Sequence, residues 1–122
     1  MGKKILIVDD EKDLVETLTF RLKASNYDVI LAYDGEDGFE KVKREQPDLV
    51  ILDLILPRLD GYKICEILKK DPRYTAIPVI IFSARAQESD RRLGMESGAD
   101  EYIVKPFEST ALLAKIKVLL KE

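Results

Sequence analysis

Asp48-Leu49-Val50-Ile51-Leu52-Asp53-Leu54-Ile55-Leu56 is the stretch that decides the fold. Residues 49–52 are apolar without a break, with none of the alternation a half-wetted strand shows. A strand of that kind belongs inside a parallel sheet covered on both faces. The run stops at Asp53 and turns apolar again at Leu54. An ionised carboxylate among such neighbours is costly unless a cation compensates it, so Asp53 calls for a chemical explanation.

Working outward, the same grammar repeats. On the N-terminal side, Lys4–Val8 is an apolar run that ends abruptly in Asp9-Asp10-Glu11, and Leu14, Val15, Leu18 and Leu22 follow at helical spacing. Asp28–Ala32 reads as a second strand, and Asp34 as the cap of a helix reaching Glu45. Gly38 inside that helix costs about 1 kcal/mol against alanine, so another constraint must hold it there. On the C-terminal side, Pro57 to Gly61 form a loop with Asp60 as cap for a helix bearing Ile64, Ile67 and Leu68. Residues 78–82 read as the fourth strand. A helix over about 88–97 has Leu93 and Met95 as nearly its only large apolar residues, and Gly98 ends it. Residues 102–104 form the fifth strand. A last amphipathic helix carries Leu112, Leu113, Ile116, Leu119 and Leu120. Strands alternating with helices in this way predict an α/β fold: a doubly wound, five-stranded parallel sheet with helices on both faces.

Composition narrows the chemistry. The 122 residues suit one domain, 1–122, and a content of 46% hydrophobic and 35% charged residues is that of a folded, water-facing protein. With no histidine and one cysteine, Cys65, there is no disulfide framework, no histidine catalysis and no histidine- or cysteine-rich metal centre. Any metal must be held by oxygen, which means magnesium, calcium or manganese. A net charge of −3 gives no general attraction to nucleic acid. The apolar runs are far shorter than the roughly 20 residues of a membrane span, and the N-terminus lacks the pattern of a signal peptide. We expect a cytoplasmic protein with no membrane contact and no direct nucleic-acid binding.

In doubly wound sheets, ligands sit beyond the carboxyl ends of the strands. The strand exits here are Asp9 and Asp10, then Asp53, then Ser83, then Lys105. Taken singly, the acids could cap helices, Ser83 could be a turn residue, and Lys105 could be a surface lysine. Their coincidence at one edge is what carries weight. Three close carboxylates repel unless a cation joins them, and Mg²⁺ accepts oxygen ligands while leaving room for a phosphate oxygen. Asp53 could then act as a nucleophile toward phosphorus, with Lys105 balancing phosphoryl charge and Ser83 donating a hydrogen bond.

Ile7-Val8-Asp9-Asp10-Glu11, Asp48 to Asp53, Pro57 with Asp60-Gly61, Ser83-Ala84, Gly98-Ala99-Asp100 and Lys105-Pro106-Phe107 agree in order and spacing with one family. Over essentially its whole length, the chain resembles the receiver domain of bacterial two-component response regulators. The resemblance implies a flavodoxin-like, CheY-like (βα)5 sheet of order 2-1-3-4-5. It implies Asp53 as phosphoacceptor, with a sensor histidine kinase or phosphotransfer protein as donor. Mg²⁺, or Mn²⁺ in its place, would be held by Asp10, Asp53 and the Ile55 backbone carbonyl, with Asp9 acting through water. Ser83 and Tyr102 would be the hydroxyl and aromatic switch residues, and the Lys105–Pro106 bond would be cis. Ile55 and Arg85 stand at positions that tune phosphoryl lifetime, and their bulk implies slow self-dephosphorylation. Arg91, Arg92, Glu96, Asp100, Glu101, Lys115 and Lys121 resemble the charged set by which winged-helix regulators dimerise on phosphorylation; otherwise they form a solvated face. Lys115 replaces the usual Arg, whose bidentate geometry it cannot match.

The expected role is therefore a signalling phosphoacceptor rather than an enzyme, acting on a downstream effector or a fused output domain. The receiver part of a longer DNA-binding transcriptional regulator is an alternative. An aspartyl-phosphate hydrolase is disfavoured, because such enzymes commonly want an acid two residues after the nucleophile and Ile55 stands there. A nucleotide-binding protein is disfavoured by the absence of a Gly-rich phosphate loop after the first strand.

Overall fold

Five parallel strands, β1 (Lys4–Val8), β2 (Asp28–Ala32), β3 (Leu49–Asp53), β4 (Val79–Ser83) and β5 (Glu101–Val104), form one sheet in the order β2-β1-β3-β4-β5. Five helices connect them: α1 (Lys12–Ala24), α2 (Gly35–Glu45), α3 (Gly61–Lys70), α4 (Glu88–Glu96) and α5 (Ser109–Leu119). This computed structural model describes residues 2–56 and 60–122. Pro57, read above as part of the α3 approach, lies outside the described residues.

The apolar strands sort their side chains by the period of two. Leu6, Val8, Val50, Leu52, Val79 and Ile81 face one layer of core with Ile64, Cys65 and Leu68 of α3 and Val42 of α2. Ile5, Ile7, Leu49, Ile51, Ile80 and Phe82 face the other, with Val15, Leu18 and Leu22 of α1 and Leu112 and Ile116 of α5. Every residue of β3 and β4 is buried, which is why neither shows alternation in sequence. Cys65 is a buried free thiol that packs, as a small apolar residue does.

Local chemistry sets the helix starts. The Asp34 carboxylate accepts from Asp37 N at 2.8 Å and that of Asp60 from Lys63 N at 2.9 Å, each satisfying an orphan donor. Gly38 is explained by a close approach, since a Cβ there would stand 2.8 Å from Val8 Cγ1. In three places the strands run one residue further than the sequence predicts: β3 includes Asp53, β4 includes Ser83 and β5 begins at Glu101, while β4 begins at Val79. The ladder continues because Asp53 pairs with Phe82 and Ser83 with Val104. The larger correction concerns α4. Leu93 and Met95 are exposed, and the residue this helix buries is Gly94, whose Cβ would stand 2.8 Å from the Tyr102 ring.

Candidate functional site

Register brings the strand exits together. Val8 pairs with Leu52, which sets Asp9 beside Asp53; Ser83 pairs with Val104, which sets Lys105 one residue beyond. The Lys105–Pro106 peptide is cis, as expected. One carboxylate oxygen from each of Asp9, Asp10 and Asp53 can be chosen so that all lie within 4.8 Å of one another. Asp9 is fully buried, Asp53 nearly so, and Asp10 is exposed, which makes a cup with one open side.

Lys105 is the cation that this cup demands. Its Nζ donates to Asp9 Oδ2 at 2.9 Å, Glu11 Oε1 at 2.8 Å and Asp53 Oδ2 at 3.3 Å. It also lies 4.7 Å from the centroid of the Phe82 ring, and Phe107 meets that ring edge-on. Burial alone would lower the ammonium's pKa, but hydrogen bonds to Glu11 and Asp9 and the charge of Asp53 win, holding it well above the lysine range. Asp53 is pushed the other way by its surroundings. Burial foremost, and then the charge of Asp9, raise its pKa above the usual carboxylate value against the opposing pull of Lys105.

The donor set therefore fits a hard divalent cation: three carboxylates, no nitrogen or sulfur ligand, and one open side for water or a ligand oxygen. Such a cation would relieve the repulsion that raises Asp53. Asp53 Oδ1 also accepts from Ile55 N at 3.4 Å, so the chain turns back over the carboxylate and the Ile55 side chain stays out in solvent. Beside it, a cavity of about 250 Å³ is lined by Leu54, Ile55, Leu56, Asp60, Tyr62 and Arg85.

Ser83 is fully buried, and its Oγ accepts from Arg85 N at 3.2 Å. Tyr102 is turned inward, and its hydroxyl donates to Arg85 O at 2.8 Å. Burial foremost raises its pKa. The backbone between β4 and α4 is thus held by Tyr102, the residue for which the family resemblance implies a switch role.

The 2-1-3-4-5 sheet that carries this acidic cup is matched by comparison with known proteins. The response regulator receiver domain model matches residues 5–117. The chain belongs to that family. It is 43% identical over 121 residues to the alkaline phosphatase synthesis transcriptional regulatory protein PhoP of Bacillus subtilis, covering 99% of this chain and 50% of that protein. The receiver thus spans about half the length of that relative. Its backbone superposes on a response regulator from Chloroflexus aurantiacus with a TM-score of 0.95, 32% identity and full coverage of both chains. A BeF3-activated N-terminal receiver domain of RstA from Klebsiella pneumoniae gives 0.90 and 29%, covering 98% of this chain and 99% of that one. The protein is a two-component response regulator receiver domain, and so a signalling protein.

The charged set read as an output face is only partly assembled on this receiver. Arg91, Glu101 and Lys115 form a chain of ion pairs, with Arg91 Nη2 3.9 Å and Lys115 Nζ 3.4 Å from Glu101 carboxylate oxygens. Arg91 also donates to Tyr102 O at 3.3 Å. Asp100, though exposed, is engaged elsewhere, pairing with Lys69 at 2.8 Å and accepting from Val79 N at 2.8 Å. Arg92, Glu96 and Lys121 are exposed. Sequence reasoning did not assign Glu11 a role, although it completes the acidic run after β1; nor did it find Tyr62, whose hydroxyl donates to Asp90 O at 3.2 Å. For Glu11 the signal was present, as a third acid in Asp9-Asp10-Glu11. For Tyr62 there was none, because its partner is a backbone atom of another helix.

Proposed function

We propose that Asp53 of this receiver accepts a phosphoryl group from a sensor histidine kinase or phosphotransfer protein in the cytoplasm. What chiefly supports this is the cup itself, with a buried, pKa-raised Asp53 beside Asp9 and Asp10 and under the Lys105 ammonium. Asp10, Asp53 and the Ile55 carbonyl would hold Mg²⁺ (or Mn²⁺), with Asp9 acting through water. Once bound, the ion supplies neutralising charge for the carboxylates and for the phosphoryl oxygens.

The step is an in-line displacement. An oxygen of Asp53 bonds to phosphorus, the bond to the donor's leaving group breaks, and the leaving group departs with the electron pair. Lys105 balances charge on the transferred group, and the Ser83 hydroxyl donates to one of its oxygens. Asp53, Ser83 and Lys105 are thus the residues that touch the reacting group. The receiver turns over no substrate of its own beyond gaining this group and slowly losing it. Ile55 and Arg85 both border the cavity beside the cup, and their bulk there would hinder water in line with the phosphorus.

The test is direct. With a small acyl phosphate and Mg²⁺, mass spectrometry should show the parent gaining one phosphoryl mass and Asp53→Asn gaining none. Equal gain by the variant, or none by the parent, overturns the assignment.

Downstream, the signal passes through α4, β5 and α5 to an effector protein or a fused output domain. The fused reading, as the receiver of a longer transcriptional regulator, is favoured by the similarity to a regulatory protein of which this receiver spans about half. The same face would pair two receivers on phosphorylation, through Arg91, Arg92, Glu96, Glu101, Lys115 and Lys121, with Asp100 after release from Lys69. Light scattering should then show a mass shift with beryllofluoride and Mg²⁺, and a receiver that stays monomeric argues for a solvated face.

A further inference from the structure

Lys105 makes three contacts, and they are unequal. An ammonium carries three N–H donors, and here each reaches a different carboxylate, so none is left over for an arriving phosphoryl oxygen. One contact must open before Lys105 can serve the transferred group. The side chains of Asp9 and Asp53 are 0% and 7% exposed, whereas that of Glu11 is 60% exposed. An abandoned Asp9 would be a buried charge left with the Glu11 backbone N–H at 2.9 Å, but water replaces the ammonium at Glu11 at little cost. Glu11 also makes the shortest of the three contacts, at 2.8 Å, and Asp53 the longest, at 3.3 Å.

We propose that Glu11 is a positioning residue that parks the Lys105 ammonium at the rim of the cup while Asp53 is unmodified, and yields it to the phosphoryl group. Glu11 lies outside the carboxylate triad that could hold a metal. It competes with the phosphoryl group for Lys105, so it stabilises the unmodified receiver and lowers affinity for the modified state. The acid directly after the metal-binding pair thus tunes how strongly the receiver holds its signal. The inference rests on the phosphoacceptor reading above.

Two measurements on the full chain test it. The first involves neither metal nor phosphoryl mimic: urea unfolding in EDTA of the parent, Glu11→Gln, Lys105→Met and the double variant. Parking requires that the two single effects do not add, and additivity overturns it. The second is beryllofluoride binding at saturating Mg²⁺, followed by the bound ¹⁹F signal. Glu11→Gln should bind about two- to fivefold more tightly than the parent, the range an exposed ion pair supports. Glu11→Asp keeps the charge but loses one methylene of reach, so it should behave like Glu11→Gln. Unchanged or weaker binding by Glu11→Gln overturns the proposal. Parent-like binding by Glu11→Asp also overturns it, since the effect would then be plain charge repulsion. If the parent itself binds no beryllofluoride, the phosphoacceptor reading fails, while the unfolding cycle still decides whether Glu11 holds Lys105.

Discussion

Replacing Lys105 by methionine removes the cation that, among the described residues, reaches both buried carboxylates of the cup. Asp9 is 0% and Asp53 is 5% exposed, so neither can turn to bulk water when the ammonium goes. Removing one partner of a buried ion pair costs about 3–5 kcal/mol, because the other charge is left uncompensated. The share held by exposed Glu11 adds at most about 1 kcal/mol. Protonation of Asp53, whose pKa is already raised, relieves part of the cost, and the methionine side chain recovers some apolar contact with Phe82. We expect a loss of about 3 kcal/mol in EDTA at pH 7, which lowers Tm by on the order of 10 °C.

The sign of the pH dependence follows. A carboxyl whose folded pKa exceeds its unfolded value favours the folded state while protonated. The penalty is absent below the unfolded pKa, about 3.9 for Asp, and grows as pH rises through the folded value. Without Lys105, Asp53 is raised further, so the gap between variant and parent should narrow as pH falls from 7 toward 4. Millimolar Mg²⁺ should stabilise the variant more than the parent, because the ion takes over the charge the ammonium supplied. Urea unfolding followed by circular dichroism, in EDTA and in Mg²⁺, measures all three. A variant as stable as the parent in EDTA at pH 7, or a gap that ignores pH, would refute the charge argument.

Asp53→Asn acts on the same balance from the other side. Burial and Asp9 raise Asp53, so its ionisation destabilises the metal-free fold, and the variant should gain on the parent as pH rises from about 4 to 7. Urea midpoints in EDTA check this, and a difference that does not move in the variant's favour between pH 4 and pH 7 contradicts it. Gly94→Ala drives a methyl group to within 2.8 Å of Tyr102 Cδ2, in a ring that is 2% exposed. Overpacking of about 1–3 kcal/mol outweighs the roughly 1 kcal/mol helix gain of alanine, so its urea midpoint should fall.

The site was legible wherever chemistry coincides with a strand end. Asp9, Asp10, Asp53, Ser83 and Lys105 follow or close apolar runs, and parallel register then forces those ends to one edge. The strand limits were legible only to within a residue, since nothing in the residue type of Asp53 or Ser83 says that the ladder continues through it. The inner face of α4 was not legible. Leu93 and Met95 are the apolar candidates, yet Gly94 faces the sheet because the Tyr102 ring occupies the space a side chain would need. Ion partners such as Glu11–Lys105 depend on the reach of two flexible side chains, which spacing along the chain does not encode.

The contrast between α4 and the cup explains how a charge change at Asp53 could be read elsewhere. Asp53 closes a strand whose every residue is buried, and Lys105 ties it to Asp9 and Glu11 while resting on Phe82, so the backbone at this end is fixed by burial on both faces. Helix α4 buries only a glycine and leaves Leu93 51% and Met95 41% exposed, so apolar packing does little to fix it. Polar contacts hold it and its approach instead: Tyr62 to Asp90 O, Tyr102 to Arg85 O, and Arg91 to Tyr102 O. Each such bond contributes about 1 kcal/mol net. A coupling free energy between sites is typically about 1–3 kcal/mol, the same scale as one to three of these bonds. Ser83 is the last residue of β4, and its Oγ accepts from Arg85 N. On the proposed reading, drawing Ser83 toward a phosphoryl oxygen would pull on the backbone that Tyr102 holds. Contacts of that scale would let α4 respond at a cost the sheet's buried core does not allow.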